Sequence, residues 1–142
     1  MYKRQVFAPL SAVGVGVFDP TDDSFELVDI SGMISSGNKF DGAAVAGDGR
    51  VVFAPYYANG VGVFDPTDDS FTLVDISATI SSNVKFVGAA VAGDSRVVFA
   101  PYAADGVGVL SLPPGTDWCN CCESKMTKLG LNLDRVCVLP PP

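Results

Sequence analysis

The stretch GAAVAGDGRVVFAPYYANGVGVFDPTDDSFTLVDI spans residues 42–76, and its reading decides the fold. It consists of short apolar runs cut by turn-forming residues. GAAVAGD (42–48) meets RVVFAPY (50–56) across Asp48-Gly49, a dipeptide that favours a two-residue hairpin turn. YANG (57–60) supplies the next turn, with Asn59-Gly60 expected at positive φ. GVGVFD (60–65), the turn PTDDS (66–70) and FTLVDI (71–76) complete the unit. A polar connection, SATISSNVK (77–85), leads to the next apolar run at Phe86. β-Branched and aromatic residues are dense, and no apolar stripe of helical period is sustained, so these runs are strands.

The pattern recurs. Residues 4–49 align with residues 50–95 without a gap, at a period of 46, and differ at eleven positions. GVGVFDPTDDSF appears unchanged at 14–25 and 60–71. A third copy starts at Arg96, matches residues 50–64 at 12 of 15 positions and stops after Leu110. The expected organisation is therefore repeats at 4–49, 50–95 and, in part, 96–112, followed by a non-repeat tail at 113–142.

Both faces of each strand are apolar. Along RVVFAPY, Val51 and Phe53 point one way while Val52, Ala54 and Tyr56 point the other. A sheet of this kind must be sandwiched between neighbours, and the small residues of GAAVAG suit a place where strands crowd together. Stacked antiparallel four-stranded sheets of this length are the blades of a β-propeller. The predicted fold class is all-β, with about two and a half blades of an incomplete propeller. A ring closes with roughly four to eight blades. The chain is thus expected to be a fragment or subunit of a larger ring, with a homo-oligomer that closes the ring as the alternative.

The unit carried by GAAVAGDGRVVFAPYYANGVGVFDP (42–66) resembles the blades of YVTN/NHL-like and kelch-like propellers. Similar 46-residue units resemble tandem-repeat proteins predicted in unicellular algae. The likeness covers residues 4–112; the Gly-His and Trp-Asp signatures of WD40 blades and the double glycine of kelch blades are missing. What the resemblance implies is a binding scaffold.

Composition narrows the function. Net charge is −7 with nine Lys and Arg in 142 residues, which opposes binding to the phosphates of nucleic acid. There is no histidine, so the commonest general base is missing and the expectation is a non-enzyme. No apolar run approaches the roughly 18 residues of a membrane span, and no signal-peptide h-region follows the start. These readings predict no membrane partner and a cytoplasmic location.

Blade geometry places the first-to-second and third-to-fourth strand turns at one end. That end gathers Asp19, Asp22, Asp23, Asp48, Asp65, Asp68, Asp69 and Asp94 against Arg50 and Arg96. The aspartates read as turn chemistry, since Asp and Ser bond nearby backbone N–H groups. Their spacing is not that of an EF-hand loop, so no metal site is predicted; a weak calcium-binding surface is the alternative. Asp29 and Asp75, in the outer strands, read as charges that blunt an exposed edge.

The other end carries Tyr56, Tyr57, Asn59, Lys85, Tyr102 and Asp105, the candidate binding residues for a protein or small ligand. Positions there differ between copies (Leu10, Tyr56 and Tyr102 align), as on a recognition surface set on a constant scaffold. A lyase- or hydrolase-like propeller enzyme with its site near Tyr56, Lys85 and Tyr102 is the competing reading. The tail holds Cys119, Cys121, Cys122 and Cys137, whose CxCC spacing is not that of paired zinc knuckles, and no cofactor is predicted. A short helix is expected at 121–130.

Overall fold

Turn chemistry divides the chain into antiparallel sheets. A computed structural model describes residues 4–112 and, by its backbone, the strand Val136–Leu139. The first sheet joins β1 (Gln5–Phe7), β2 (Gly14–Asp19) and β3 (Ser24–Asp29) in that order. The second joins β4 (Phe40–Val45), β5 (Val51–Pro55), β6 (Gly60–Asp65) and β7 (Ser70–Asp75). The third runs β8 (Phe86–Val91), β9 (Val97–Pro101), β10 (Val107–Leu110) and β11 (Val136–Leu139). Every pairing among the described residues is antiparallel, and these residues are all-β as expected.

The turns follow the sequence with two differences. Ala46 N–H donates to the Arg50 carbonyl at 2.8 Å, and Gly49 N–H donates to the Ala46 carbonyl at 2.9 Å. Gly49 stands at φ +92°, which makes this a three-residue hairpin closed by a left-handed residue rather than a two-residue turn. Asn59 and Gly60 are not among the positive-φ residues; Gly60 already belongs to β6. A side chain there would strike the Val74 carbonyl, its Cβ lying 2.6 Å from that oxygen, so Gly60 permits close pairing rather than a turn.

The core lies between the sheets. Val51, Phe53 and Phe64 face the first sheet, where they meet Val15, Val17 and Ile30. Val52, Ala54, Val61 and Val63, from the other face of the same sheet, meet Phe86, Val97, Phe99 and Leu110 of the third. Val52, Phe53, Ala54, Val61 and Phe64 are all fully buried, and each large side chain among them contributes roughly 1.5–3 kcal/mol. Alternate residues therefore glue the middle sheet to both neighbours, as the two-faced strands predict. The first strands of the second and third sheets crowd closest: a Cβ on Gly42, at φ +98°, would lie 2.5 Å from Gly88 Cα. The sequence GAAVAG is small because of this approach.

β11 comes from the non-repeat tail. Leu110 pairs with Val136 and Val107 with Leu139, so VCVL stands where FTLV of β7 stands in the second sheet, in which Phe64 pairs with Phe71. The tail thus supplies an outer strand without repeat identity, which the change of sequence after Leu112 conceals. The helix expected at 121–130, together with Cys119, Cys121 and Cys122, lies outside the described residues.

Candidate functional site: the tyrosine-bearing loop end

Two kinds of loop share one end of the stack, those joining β1 to β2, β5 to β6 and β9 to β10, and those joining β3 to β4 and β7 to β8. They are stitched by a ladder of backbone hydrogen bonds. Lys39 N–H donates to the Leu10 carbonyl at 2.7 Å, and Tyr56 N–H donates to the Lys39 carbonyl at 2.9 Å. Lys85 N–H donates to the Tyr56 carbonyl at 3.0 Å, and Tyr102 N–H to the Lys85 carbonyl at 2.9 Å. Leu10, Tyr56 and Tyr102 are repeat equivalents, as are Lys39 and Lys85, so the ladder crosses from sheet to sheet with one pattern. It holds the backbone constant while the side chains differ.

On this ladder the tyrosines come together. The Tyr56 and Tyr57 ring centroids are 5.2 Å apart and those of Tyr56 and Tyr102 5.8 Å, both edge-to-face. Tyr56 is half-buried, while Tyr57 is 43% and Tyr102 67% exposed. The result is a shelf with one sheltered and two open rings. Loss of hydration holds the Tyr56 phenol above its ordinary range, and Tyr102, Tyr57 and Asp41 add to the effect. Tyr56 is therefore a hydrogen-bond donor across the neutral range.

Lys85 is only 2% exposed, and burial pushes its ammonium below the usual lysine range. Its equivalent, Lys39, donates from Nζ to the Ser36 carbonyl at 3.1 Å. The hydroxyl of Ser82, the counterpart of Ser36, is buried without a hydrogen-bond partner among the described residues. Asn59 and Asp105 are both exposed; the Asn59 carbonyl accepts from Ile76 N–H at 2.8 Å. Of the six candidate residues, Tyr56, Tyr57, Tyr102 and the Lys85 backbone meet, and no hydrogen bond joins Asn59 or Asp105 to them. The residue missed in the sequence is Asp41, whose negative charge helps hold the Tyr56 phenol protonated; its one signal is that position 41 is among those where the repeats differ.

The gap between the first two sheets is furnished differently. There Ser11, the counterpart of Tyr57, donates from Oγ to Asn38 Oδ1 at 3.3 Å. One backbone pattern thus presents a polar pair in one gap and an aromatic shelf in the next.

At the opposite end the aspartates serve the turns. Asp65 Oδ1 accepts from Thr67 N–H at 2.9 Å and from its hydroxyl at 2.6 Å, and Asp68 Oδ1 accepts from Ser70 N–H at 3.0 Å. Asp19 and Asp22 do the same in the first copy. Asp48 and Asp94 pair with Arg50 and Arg96, both at 2.6 Å. Back at the tyrosine end, Asp29 and Asp75 open the β3–β4 and β7–β8 loops by accepting from Ser31 N–H at 2.7 Å and Ser77 N–H at 2.8 Å, rather than only blunting an edge. Among the described residues, no three His, Cys, Asp or Glu side chains converge as they would around a metal ion. No helix of the described residues is long and apolar enough to cross a membrane.

Comparison with known proteins places the fold. No protein-family model matches the chain. No curated protein matches it. Among solved structures, the crystal structure of selenomethionine-substituted virginiamycin B lyase from Staphylococcus aureus is similar, with a TM-score of 0.63 and 16% identity over 76% of this chain. The match covers 34% of that protein, so the chain spans about a third of the length of the structure it resembles. The chain is an all-β protein built of propeller-type blades, and the blades are those of an incomplete propeller. The expectation of a non-enzyme is corrected here. The structural neighbour is a propeller enzyme, so the fold accommodates catalysis, and at this identity the likeness decides neither for nor against it. The missing histidine removes one general base and leaves tyrosine, lysine and carboxylates in place.

Proposed function

We propose that the chain is a propeller-type binding scaffold, part of a larger ring, whose tyrosine-bearing loop end receives a protein or a small ligand. One observation carries this reading: the shelf of Tyr56, Tyr57 and Tyr102 sits on a backbone ladder that is the same from repeat to repeat. Tyrosine gives large contact area at low entropic cost and a polar tip for orientation, which is why it dominates binding surfaces. Within the propellers, GAAVAGDGRVVFAPYYANGVGVFDP favours YVTN/NHL-like or kelch-like blades. The test is selection of displayed random peptides against the chain. Selected peptides should lose roughly tenfold or more in affinity on Tyr102→Ala combined with Tyr57→Ala, with an unchanged circular dichroism spectrum. Peptides indifferent to both substitutions would overturn the reading.

Lys85 favours a second reading. A lysine with a weakened ammonium, joined through its backbone to Tyr56 and Tyr102, supplies a proton-exchanging group at this end, as a lyase on such a scaffold would need. The probe is virginiamycin B, followed by mass spectrometry with the native chain, Lys85→Met and Tyr102→Phe. Turnover abolished by Lys85→Met supports an enzyme at this end; no turnover in the native chain contradicts that activity.

A further inference from the structure

The three tyrosine rings stand as walls rather than as a stack. Tyr57 meets Tyr56 at 72° with centroids 5.2 Å apart, and Tyr102 meets Tyr56 at 70° with centroids 5.8 Å apart. Two rings set edge to face leave a corner bounded by both. A group resting in such a corner lies within about 6 Å of both ring centres, the range over which an aromatic face attracts a cation. Tyr56, half-buried in the middle, belongs to both corners, while Tyr57 and Tyr102 are open to solvent.

The electrostatics favour the same class of guest. The carboxylates at this end belong to Asp29, Asp41, Asp75 and Asp105, all wholly or partly exposed. The lysines of the same loops, Lys39 and Lys85, are each 2% exposed, so the surface presented to solvent is negative. The charge of Asp41 already acts on the shelf, where it opposes a phenolate at Tyr56. The same field attracts a positive charge seated there.

Shape then selects among cations. A planar guanidinium is best satisfied by stacking flat on one ring, and a bare ammonium gives up strong hydration to enter a half-buried corner. A rounded, alkylated ammonium touches both walls with its methyl groups and carries its charge without tightly held water. In the gap between the first two sheets, Leu10 and Ser11 stand at the positions of Tyr56 and Tyr57, so the three-ring arrangement is made once among the described residues.

We infer that the corners formed by Tyr56, Tyr57 and Tyr102 are a seat for a quaternary ammonium group, with the carboxylates of this end supplying the counter-charge. The inference rests on the reading of this end as a binding surface and names the chemistry that the surface selects.

The experiment titrates choline into the full chain and follows both by proton NMR. The N-methyl signal of choline should move upfield under the tyrosine ring currents, and the movement should saturate. Neohexanol, the neutral carbon isostere of choline, should bind roughly threefold or more weakly. Tyr56→Leu with Tyr57→Ser, the residues of the first repeat, should abolish the movement with an unchanged circular dichroism spectrum. Asp41→Asn should weaken binding measurably, and Ser11→Ala, in the other gap, should leave it unchanged. A short peptide carrying trimethyllysine separates the sources of the group. Tighter binding than choline marks a peptide ligand and equal binding a free small molecule, and both support the seat. Neohexanol binding as tightly as choline, or no binding of either cation, overturns the inference. Displayed peptides that still depend on Tyr57 and Tyr102 would then keep the binding surface and lose only its cation; peptides indifferent to both tyrosines would remove the two together.

Discussion

Ser95 stands at φ +67°, in the place that Gly49 occupies at φ +92° in the preceding repeat. A residue with a Cβ in the left-handed region costs about 1–2 kcal/mol, partly offset by the greater chain entropy that glycine loses. Ser95→Gly is therefore expected to stabilise the chain by about 0.5–1 kcal/mol, read as a rise of a few degrees in melting temperature. The repeat thus contains its own control for one turn. Lys85 makes a second prediction at this scale. Its proton affinity is depressed in the folded state relative to the ordinary 10.5, so the unfolded chain binds more protons between the two values. Stability rises with pH across that window, and at neutral pH the buried ammonium is a penalty. Lys85→Met should be more stable than the native chain at pH 7, with the difference shrinking as pH approaches 10.5. Denaturant unfolding of both proteins across this range checks it.

At the scale of elements, the strand positions were legible because Val, Phe and Gly-Asp punctuation repeat at a fixed interval. The split of Val51 and Phe53 from Val52, Ala54 and their neighbours was equally legible, since strand periodicity assigns alternate side chains to opposite faces. Turn geometry was less so: Asp48-Gly49 suits a two-residue loop, but pairing of Ala46 with Arg50 adds a third residue. β11 was hidden because its partner β10 selects backbone hydrogen bonds, which VCVL satisfies without sharing the repeat's letters. The tyrosine cluster was half legible. Positions that vary between repeats mark the loop end, but the approach of Tyr102 to Tyr56 and the burial of Lys85 depend on how the sheets stack. A test at this scale is Gly42→Ala. The new methyl would fall 2.5 Å from Gly88 Cα in a backbone conformation at φ +98°, and backbone cannot step aside as a side-chain tip can. A loss of about 2–4 kcal/mol is expected by denaturant unfolding, against a small effect for Gly37→Ala, where nothing lies within 4 Å.

The whole molecule is a stack in which each sheet needs both neighbours. The middle sheet is packed on both faces, whereas Phe7, Phe25 and Leu27 of the first are exposed among the described residues. The two ends of the stack differ in kind. At one end the carboxylates are spent on turns and on arginine pairs, Arg4 with Asp69 binding the first sheet to the second. At the other a backbone ladder runs across the sheets and fixes the aromatic shelf. This loop end is built structure and not a set of independent loops. Amide hydrogen exchange followed residue by residue tests it most directly. The N–H groups of Lys39, Tyr56, Lys85 and Tyr102, all just outside the strands, are predicted to exchange as slowly as those of β5 and β6. Exchange of these four at the rate of an unstructured chain, with the strands still protected, would contradict the account.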